Sequence, residues 1–480
     1  MNDRMIARTV GLILRIESVL FLLPAAVGLL YREHETLYFL LSAAIALSVS
    51  FLLTLKKPRT NVIYAREGFL IVALSWLLLS ILGSLPFFLS GEIKGFVNCL
   101  FETVSGFTTT GSTVLTDIES LSHGMLFWRS FTHWIGGMGV LVFALAILPM
   151  AEGRSMHILR AEAPGPTVGK LVPKMRSTAV ILYSVYLALT VLEIVFLCLG
   201  GMSLYDSVVH AFGTAGTGGF SVRNASIGAY QSPYFEWVIG VFMLLFGVNF
   251  NLFYLILLRK LKSVLKSQEL RWYLGIVALS TLAISVNVSH LFSGVGDTVR
   301  TAFFQVSSII TTTGYATVNY DVWPTFSKMI IVLLTIIGAC AGSTGGGLKV
   351  SRFIILIKSM MQEIRAMVHP RAVKNIKFEG RPVDKETVDS IMVFFSAYVF
   401  VLMGSILIVA LNGFDLTTTA TSVLTCIGIV GPGFGLVGPA GNFSGFSVLS
   451  KLVFCFNMLA GRLEIFPMHL LFAPRAWKRK

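Results

Sequence analysis

The segment Gln305-Val-Ser-Ser-Ile-Ile-Thr-Thr-Thr-Gly-Tyr315 decides the fold, because a short apolar run in it ends in a turn rich in threonine and glycine. The run is too short to cross a membrane, and a polar segment follows the turn. Three other segments repeat this pattern: Phe101–Ser112, His210–Ser221 and Ser422–Gly433. Aligning Gly111, Gly218, Gly314 and Gly431 spaces the segments by about 100 residues, which predicts an internal repeat.

The chain as a whole has the composition of a membrane protein. Of its 480 residues, 55% are hydrophobic and 13% are charged, and its mean hydropathy is +0.79. A soluble domain carries about a quarter charged residues, whereas apolar runs of roughly 20 residues can cross a bilayer as helices. We predict about ten crossings, at residues 9–30, 37–55, 68–90, 125–150, 178–200, 235–258, 272–292, 328–358, 388–411 and 447–473.

Basic residues predict the orientation in the membrane. A net charge of +14 would suit nucleic acid only if Lys and Arg gathered on a soluble face, but here they lie in short loops between apolar runs. We therefore expect no nucleic-acid partner. The positive-inside rule places both termini in the cytoplasm, and the basic loops, above all 365–385, are expected to attract the anionic lipid of the bilayer. The five cysteines lack metal-ligand spacing and are interpreted as packing residues.

These features together predict an all-α membrane protein. Four tandem repeats of helix, pore helix and helix would surround one pseudo-fourfold pore, and two extra N-terminal transmembrane helices would precede them. The predicted units are 1–66 for the two N-terminal helices, then 67–153, 154–270, 271–386 and 387–480 for the four repeats.

The four turns have the chemistry of a potassium filter. Irregular backbone at membrane depth survives only where it is buried in protein or lines a water-filled cavity. Glycine permits positive φ, so successive carbonyls can face one axis and replace the water shell of a potassium ion. A threonine hydroxyl can add an oxygen, and the short helices would direct their negative ends toward the pore. The predicted ion-binding residues are Thr110, Gly111, Thr217, Gly218, Thr313, Gly314, Val430 and Gly431.

Seven motifs carry a resemblance to a known family: Thr108-Thr-Thr-Gly111, Gly218-Gly-Phe-Ser221, Thr311-Thr-Thr-Gly-Tyr315, Val430-Gly-Pro-Gly-Phe-Gly435, His133-Trp-Ile-Gly-Gly-Met-Gly139, Ala341-Gly-Ser-Thr-Gly-Gly-Gly-Leu-Lys349 and Gly461-Arg-Leu-Glu-Ile465. With these motifs the chain resembles the TrkH-type subunits of the Trk/Ktr/HKT superfamily of potassium transporters over nearly its full length. Two extra N-terminal helices are typical of the TrkH branch rather than the shorter Ktr branch.

The resemblance implies several properties of the protein. Glycine at all four filter positions is the pattern that the family associates with potassium, whereas serine at the first position would raise the preference for sodium. The family works as a homodimer with one pore per protomer. The basic cytoplasmic loops would face a cytosolic, nucleotide-binding ring subunit of the TrkA type. The second and fourth turns depart from Thr-Thr-Gly, so the implied pore is only pseudo-fourfold.

A second glycine-rich stretch interrupts the eighth predicted crossing. It is not a phosphate-binding loop, because its lysine does not directly follow the last glycine and no Ser or Thr follows that lysine. We expect it to break the crossing into two halves, either as a packing kink or, by resemblance, as a gate below the filter. The predicted gate residues are Gly342, Ser343, Thr344, Gly345, Gly346, Gly347, Lys349 and Arg462.

Charged and polar residues inside other apolar runs leave alternatives open. Arg462 and Glu464 would face the pore or form an internal ion pair. Arg129 and His133 are expected to snorkel or pack. Asn249 and Asn251 would line the pore or bond a neighbouring helix.

Two other functions are less favoured by the sequence than a channel-like pore. A proton- or sodium-coupled potassium symporter is less favoured, because the repeats lack a cluster of acidic residues. An intramembrane enzyme would need a catalytic constellation that the sequence lacks, so no enzyme activity is expected. No covalently bound cofactor and no metal other than potassium ions in the pore are expected.

Overall fold

A computed structural model describes residues 2–56, 58, 64–139, 175–369 and 376–477, and this part of the chain is mostly helical. Two short strands, β1 (Lys377–Phe378) and β2 (Arg381–Pro382), pair antiparallel in one hairpin. The second half of the crossing predicted at 125–150 falls outside the described residues. So do some of the basic residues in the short loops that the orientation depends on, among them Lys57, Arg59, Arg154, Arg160, Lys170 and Lys174.

The first three helices pack as a unit against the next one. They are α1 (Asp3–Leu20), α2 (Leu22–Leu30) and α3 (Thr36–Thr54), and α1 with α2 makes one apolar span of 28 residues. The backbone N–H of Asn2 donates to the Glu67 carboxylate at 2.8 Å, which ties the start of α1 to the following helix.

Three kinds of helix then alternate along the chain. Long helices are α4 (Ala65–Gly83), α8 (Met175–Leu199), α13 (Gln268–Val288) and α17 (Lys385–Val409). Shorter helices that end in the glycine-rich turns are α6 (Phe96–Phe107), α9 (Leu204–Gly216), α14 (Val295–Ile310) and α18 (Leu416–Gly428). The helices that follow those turns are α7 (His123–Gly137), α10 (Pro233–Phe246), α15 (Thr325–Ile337) and α19 (Val448–Arg462).

The remaining helices connect or extend these. They are α5 (Leu85–Ser90), α11 (Phe250–Leu257), α12 (Leu261–Lys266), α16 (Val350–Val368), α20 (Phe466–Phe472) and α21 (Pro474–Trp477). Single 3₁₀ turns lie at Ser226–Tyr230, Ser289–Leu291, Tyr320–Val322, Ala410–Asn412 and Gly435–Val437.

Six helical segments of the described chain are long and apolar enough to cross a membrane: Asp3–Leu30, Thr36–Thr54, Arg66–Ser90, Ala179–Leu199, Gln268–Leu291 and Lys385–Asn412. The chain is therefore a multi-pass membrane protein. Three of the ten predicted crossings are interrupted instead of continuous. The eighth is broken by residues 338–349, as the glycine-rich stretch predicted, and the tenth is broken between Arg462 and Phe466.

The sixth predicted crossing, 235–258, is wrong as a straight helix. The axis turns by 92° between α10 and α11. The carbonyl oxygen of Gly247 leaves the helix and accepts a hydrogen bond from the Cys340 N–H at 3.1 Å. Asn249 then caps α11, because its side chain accepts from the Asn251 N–H at 3.0 Å. Asn249 thus ends one helix direction and starts another, a role that the sequence analysis did not include.

Aromatic side chains hold the first glycine-rich turn from behind. The Trp128 ring of α7 lies 4.6 Å from the Phe21 ring and 5.9 Å from the Phe107 ring, measured between centroids. The Trp128 indole N–H donates to the Gly83 carbonyl at 3.0 Å, at the end of α4. The N-terminal helices are thereby packed into the same core as α6, the short helix that leads into the turn.

Candidate ion pathway and gate

The short helices α6, α9, α14 and α18 all end with the same hydrogen bond. A backbone N–H of the turn donates to the carbonyl five residues earlier, which closes the helix end. The four bonds are Thr110 to Ser105 at 2.9 Å, Gly218 to Gly213 at 2.8 Å, Thr313 to Ser308 at 2.8 Å and Val430 to Thr425 at 3.0 Å. The four turns, residues 108–112, 217–221, 311–315 and 429–433, are named glycine loops 1 to 4 below.

These bonds correct the register that the glycine alignment gave to loop 2. The residue after each bonded N–H has positive φ: Gly111 (82°), Gly219 (76°), Gly314 (83°) and Gly431 (96°). The structural equivalent of Gly111 is therefore Gly219, and Gly218 takes the place of Thr110, Thr313 and Val430. Loop 2 contains glycine at both 218 and 219, so glycine spacing alone could not decide between them.

The four loops meet one another in cyclic order. A Cβ atom added at Gly111 would overlap the carbonyl oxygen of Gly218, and one added at Gly219 would overlap that of Thr313. A Cβ atom added at Gly314 would likewise overlap the carbonyl oxygen of Val430. One added at Gly431 would come within 2.7 Å of the carbonyl oxygen of Thr110. Only glycine allows the backbones to approach this closely. The positive-φ glycines of all four loops line one common cavity. The arrangement is a closed ring of backbone around a common centre.

The threonine hydroxyls of the ring bond within their own loops or to the end of the preceding helix. Thr110 shares a hydrogen bond with Thr108 at 2.8 Å, and Thr313 does the same with Thr311 at 2.8 Å. Thr217 donates to the Gly216 carbonyl at 2.6 Å. All three threonines that were predicted to bind the ion are fully buried. In this arrangement the hydroxyls stabilise the turns, and backbone oxygen is what the four loops have in common.

Residues 338–349 form an irregular segment whose two ends are fastened side by side. The N–H groups of Leu348 and Lys349 donate to carbonyls of Ile336 and Ile337 at 3.1 and 2.9 Å. The N–H of Val350 donates to the Ala339 carbonyl at 3.0 Å. Residues 342–347, named the central loop here, therefore project as a closed loop between α15 and α16.

The central loop lies directly against glycine loops 3 and 4. The Gly346 N–H donates to the Thr312 hydroxyl at 2.6 Å, and the Thr344 hydroxyl donates to the Phe246 carbonyl at 3.2 Å. A Cβ atom added at Gly345 would come within 2.7 Å of the Thr311 carbonyl oxygen. The small residues of the loop thus permit close packing against the ring.

Other predicted gate residues anchor the ends of the central loop. The Gly342 carbonyl accepts from the Phe250 N–H at 3.0 Å, so the start of the loop is tied to α11. The Ser343 hydroxyl donates to the Cys340 carbonyl at 2.7 Å. Gly347 has a φ of 75° and contacts Gly338, which brings the two ends of the segment together.

Two positively charged side chains donate hydrogen bonds to carbonyl groups of the central loop. The Lys349 ammonium donates to the Gly345 carbonyl and is 2% exposed. The Arg462 guanidinium donates to the Thr344 carbonyl at 2.9 Å and to the Gly137 carbonyl at 2.6 Å. Arg462 therefore joins the loop to the end of α7, and both positive charges lie beside the loop that the sequence analysis assigned to the gate.

The ion pair of Glu464 is not with Arg462. Glu464 accepts from the Arg352 guanidinium at 2.7 Å, and Arg352 also lies over the Phe394 ring at 4.3 Å. The alternative of an internal ion pair therefore holds for Glu464, with Arg352 as its partner. Glu464 adopts positive φ at the break after α19, so its side chain points to α16 rather than back along its own helix.

Sequence reasoning missed an acidic residue that holds the central loop. One carboxylate oxygen of Glu269 accepts from the Ala341 N–H at 2.7 Å and from the Ser351 N–H at 3.1 Å. Glu379, at the tip of the β-hairpin, accepts from the Glu269 N–H at 2.9 Å. Nothing in the local sequence marks Glu269, because its partners lie 72 and 82 residues away.

Arg129 and His133, which were expected to snorkel or pack, are both buried in the protein interior. Arg129 also makes an ion pair that the sequence analysis did not predict. Its guanidinium forms an ion pair with Glu102 at 2.6 Å, and both side chains are buried. His133 is fully buried and shares a hydrogen bond with the Gly106 carbonyl at 2.7 Å. Of the short-helix residues, His210 bonds Ser221 at 2.9 Å and Gln305 bonds Thr317 at 3.2 Å, as internal partners.

Comparisons with known proteins agree with this architecture. The sequence profile of TrkH, described as a cation transport protein, matches residues 37–479. The Trk system potassium uptake protein TrkH of Escherichia coli K12 is 37% identical, and the alignment covers 100% of both chains. TrkI of Halomonas elongata, a Trk system potassium uptake protein, is 33% identical over 97% of both chains. The crystal structure of the potassium transporter TrkH from Vibrio parahaemolyticus aligns with a TM-score of 0.89 at 34% identity, covering 100% of both chains.

Proposed function

Because this chain belongs to the TrkH family of cation transport proteins, we propose that it takes up potassium across a bacterial inner membrane. The ions would pass through a selectivity filter formed by backbone carbonyls of the four glycine loops. The observation that carries the proposal is the ring in which each positive-φ glycine meets the carbonyl of the next loop. Carbonyl rings of this kind replace the water shell of potassium.

The four-repeat pore with two preceding helices is the architecture that this function needs. Each repeat would contribute a long helix, a pore helix and a following helix, with α1–α3 outside the pore. The filter residues become Thr110 and Gly111, Gly218 and Gly219, Thr313 and Gly314, and Val430 and Gly431. The C-terminal ends of α6, α9, α14 and α18 all lead into the ring, and their partial negative charge favours a cation there.

Gating is assigned to the central loop together with Lys349 and Arg462. The loop packs against glycine loops 3 and 4, so it would block the path of an ion that has passed the filter. The side chains of Lys349 and Arg462 hold carbonyl groups of this loop, and their positive charges would repel a potassium ion that reaches it. A cytosolic nucleotide-binding ring subunit of the TrkA type would bind the basic cytoplasmic face of the protein and move this loop. Both termini would lie on that same face.

A homodimer with one pore per protomer, embedded in the bilayer, completes the proposal. The apolar outer faces of α13 and α17 are the surfaces that lipid and a second protomer would share, since only 22% of each span is buried. Proton- or sodium-coupled symport stays the second candidate. Its support is the buried carboxylate of Glu193, which lies in the membrane span of α8.

Rubidium uptake into proteoliposomes tests the proposed function. Potassium and sodium serve as competitors for the wild type and for Gly111→Ser. We expect potassium to compete strongly and sodium weakly with the wild type, and the substitution to reduce that difference, because a side chain at Gly111 meets the Gly218 carbonyl. The proposal fails if neither ion competes with rubidium or if Gly111→Ser leaves the selectivity intact.

A collapsed proton or sodium gradient separates the two candidate functions in the same vesicles. Uptake that persists without either gradient agrees with channel-like conduction. Uptake that stops while the membrane potential is held constant would instead support coupled symport.

A further inference from the structure

One buried ion pair lies directly behind the ring. The Arg129 side chain is 2% exposed and the Glu102 side chain 0%, with 2.6 Å between the Arg129 Nε and Glu102 Oε1 atoms. Among the ion pairs formed by the described residues, this is the one in which both partners are almost completely buried. It joins the short helix α6 to α7, on the side where glycine loops 1 and 2 meet.

Glu102 holds the residues that directly follow loop 1. Its carboxylate accepts from the Thr113 hydroxyl at 2.9 and 3.1 Å and from the Val114 N–H at 3.0 Å. Thr113 and Val114 follow Gly111 by two and three residues along the chain. A displaced carboxylate would therefore release the backbone immediately after the first ring glycine.

Arg129 fixes the corresponding part of loop 2. Its Nη1 atom donates to the Ser221 carbonyl at 3.0 Å, and its guanidinium lies 3.5 Å from the centre of the Phe220 ring. Phe220 directly follows Gly219. Since the guanidinium is planar and offers donors in fixed directions, one side chain can hold Glu102, Ser221 and Phe220 together.

His133 supports the same loop from the adjacent turn of α7. The His133 ring stacks on Phe220 with 4.1 Å between centroids, so Phe220 lies between a guanidinium and an imidazole. A Cβ atom added at Gly218 would overlap the His133 ring. Loop 2 is thus in direct contact with Arg129 and His133, which lie on two successive turns of α7.

The junctions between the other loops are spanned by hydroxyl groups. Tyr315 of loop 3 donates to the Phe220 carbonyl at 3.2 Å, and Tyr320 donates to the Pro432 carbonyl at 3.4 Å. Ser112 donates to the Gly431 carbonyl at 3.2 Å. The junction of loops 1 and 2 differs because a charge pair spans it, and hydrogen bonds to charged groups are the stronger kind.

A buried ion pair contributes little net stability, since the cost of removing both charges from water offsets their attraction. Its fixed geometry is what it adds, and here that geometry sets the distance between loops 1 and 2. We propose that Glu102 and Arg129 are positioning residues that determine the potassium-over-sodium preference of the filter. This inference rests on the proposed function.

The test compares Glu102→Gln with the wild type in the rubidium-uptake assay. Glutamine keeps the shape and an acceptor oxygen but leaves the Arg129 charge unpaired. We expect the ratio of sodium to potassium inhibition constants to fall about tenfold, the effect of losing roughly one net hydrogen bond. Glu236→Gln is the matched control, because Glu236 pairs with Arg300 at 2.8 Å and this pair joins α10 to α14 instead of two glycine loops. The control should keep the wild-type ratio.

Thr113→Val is the second variant, in case Glu102→Gln does not fold. It removes the hydroxyl that donates to Glu102 and keeps the side-chain volume, so a smaller fall in the same ratio is expected. A purely structural role would lower the uptake rate and the melting temperature without changing the ratio. An unchanged ratio in either folded variant overturns the inference, whereas a wild type without potassium preference overturns the proposed function itself.

Discussion

At the scale of single residues, backbone conformation decides which atoms reach the ring. Gly216 at the end of α9 and Gly218 and Gly219 of loop 2 lie within four residues, and the hydrogen bond from the Gly218 N–H to the Gly213 carbonyl fixes their register. Gly219 then adopts a φ of 76° and approaches the Thr313 carbonyl. A glycine motif predicts that such a turn exists but does not identify the residue that needs the missing Cβ.

Gly219→Ala should therefore disrupt the ring. A non-glycine residue in the left-handed region costs roughly 1–2 kcal/mol, and the added Cβ would overlap the Thr313 carbonyl oxygen. We expect slower rubidium uptake, a smaller potassium preference, as for Gly111→Ser, and a lower melting temperature in detergent.

Gly275→Ala is the matched control for this substitution. An added Cβ at Gly275 in α13 meets nothing within 4 Å, and alanine favours helix over glycine by about 1 kcal/mol. It should keep wild-type uptake with equal or higher stability. If Gly219→Ala transports like the wild type, the register assigned to loop 2 is incorrect.

At the scale of structural elements, the central loop is held by contacts that are distant in sequence. Glu269 binds N–H groups on both sides of the loop, and Glu379 of the hairpin binds the start of the same helix, α13. The hairpin belongs to the basic segment between α16 and α17. A movement of that segment would thus be transmitted through α13 to the ends of the loop.

Glu269→Ala should loosen the central loop. Each hydrogen bond to a charged group contributes roughly 1.5–3 kcal/mol, and this carboxylate oxygen accepts two. Hydrogen–deuterium exchange at residues 342–347 is expected to become about tenfold faster or more, since 1.4 kcal/mol corresponds to a factor of ten.

Glu386→Gln provides the comparison, because this carboxylate is exposed in the first turn of α17. Hydrogen–deuterium exchange at residues 342–347 of the Glu386→Gln variant should equal that of the wild type. Equal exchange in Glu269→Ala and the wild type would show that Glu269 does not hold the loop.

The sequence predicted the central loop but not its anchors, for a physical reason. A run of small residues inside an apolar stretch indicates broken helix by itself, as Gly342–Gly347 did. The bend after Phe246 is marked in the sequence by Gly247, Asn249 and Asn251 in an otherwise apolar run. The residue that stabilises the bend, Cys340, lies far along the chain. Such contacts depend on tertiary packing, which neither periodicity nor composition specifies.

At the scale of the whole molecule, four segments that are distant in sequence form one ring. The spacing of the glycine motifs predicted that they correspond, and membrane physics predicted that they must be buried. Their cyclic contacts, from loop 1 through loops 2, 3 and 4 back to loop 1, are a property of the folded chain alone. The four loops are not identical: Gly218 and Val430 stand where loops 1 and 3 have threonine, and the pair of Glu102 and Arg129 spans the first junction.

The most direct test of the central claim is to locate the ion. Crystals grown in rubidium should give an anomalous scattering peak at the centre of the ring, within coordinating distance of the carbonyl oxygens of Thr110, Gly218, Thr313 and Val430. Sodium in place of rubidium should abolish the peak. If the rubidium peak lies elsewhere, or if no ion occupies the ring in protein that takes up rubidium, the four glycine loops do not form the filter.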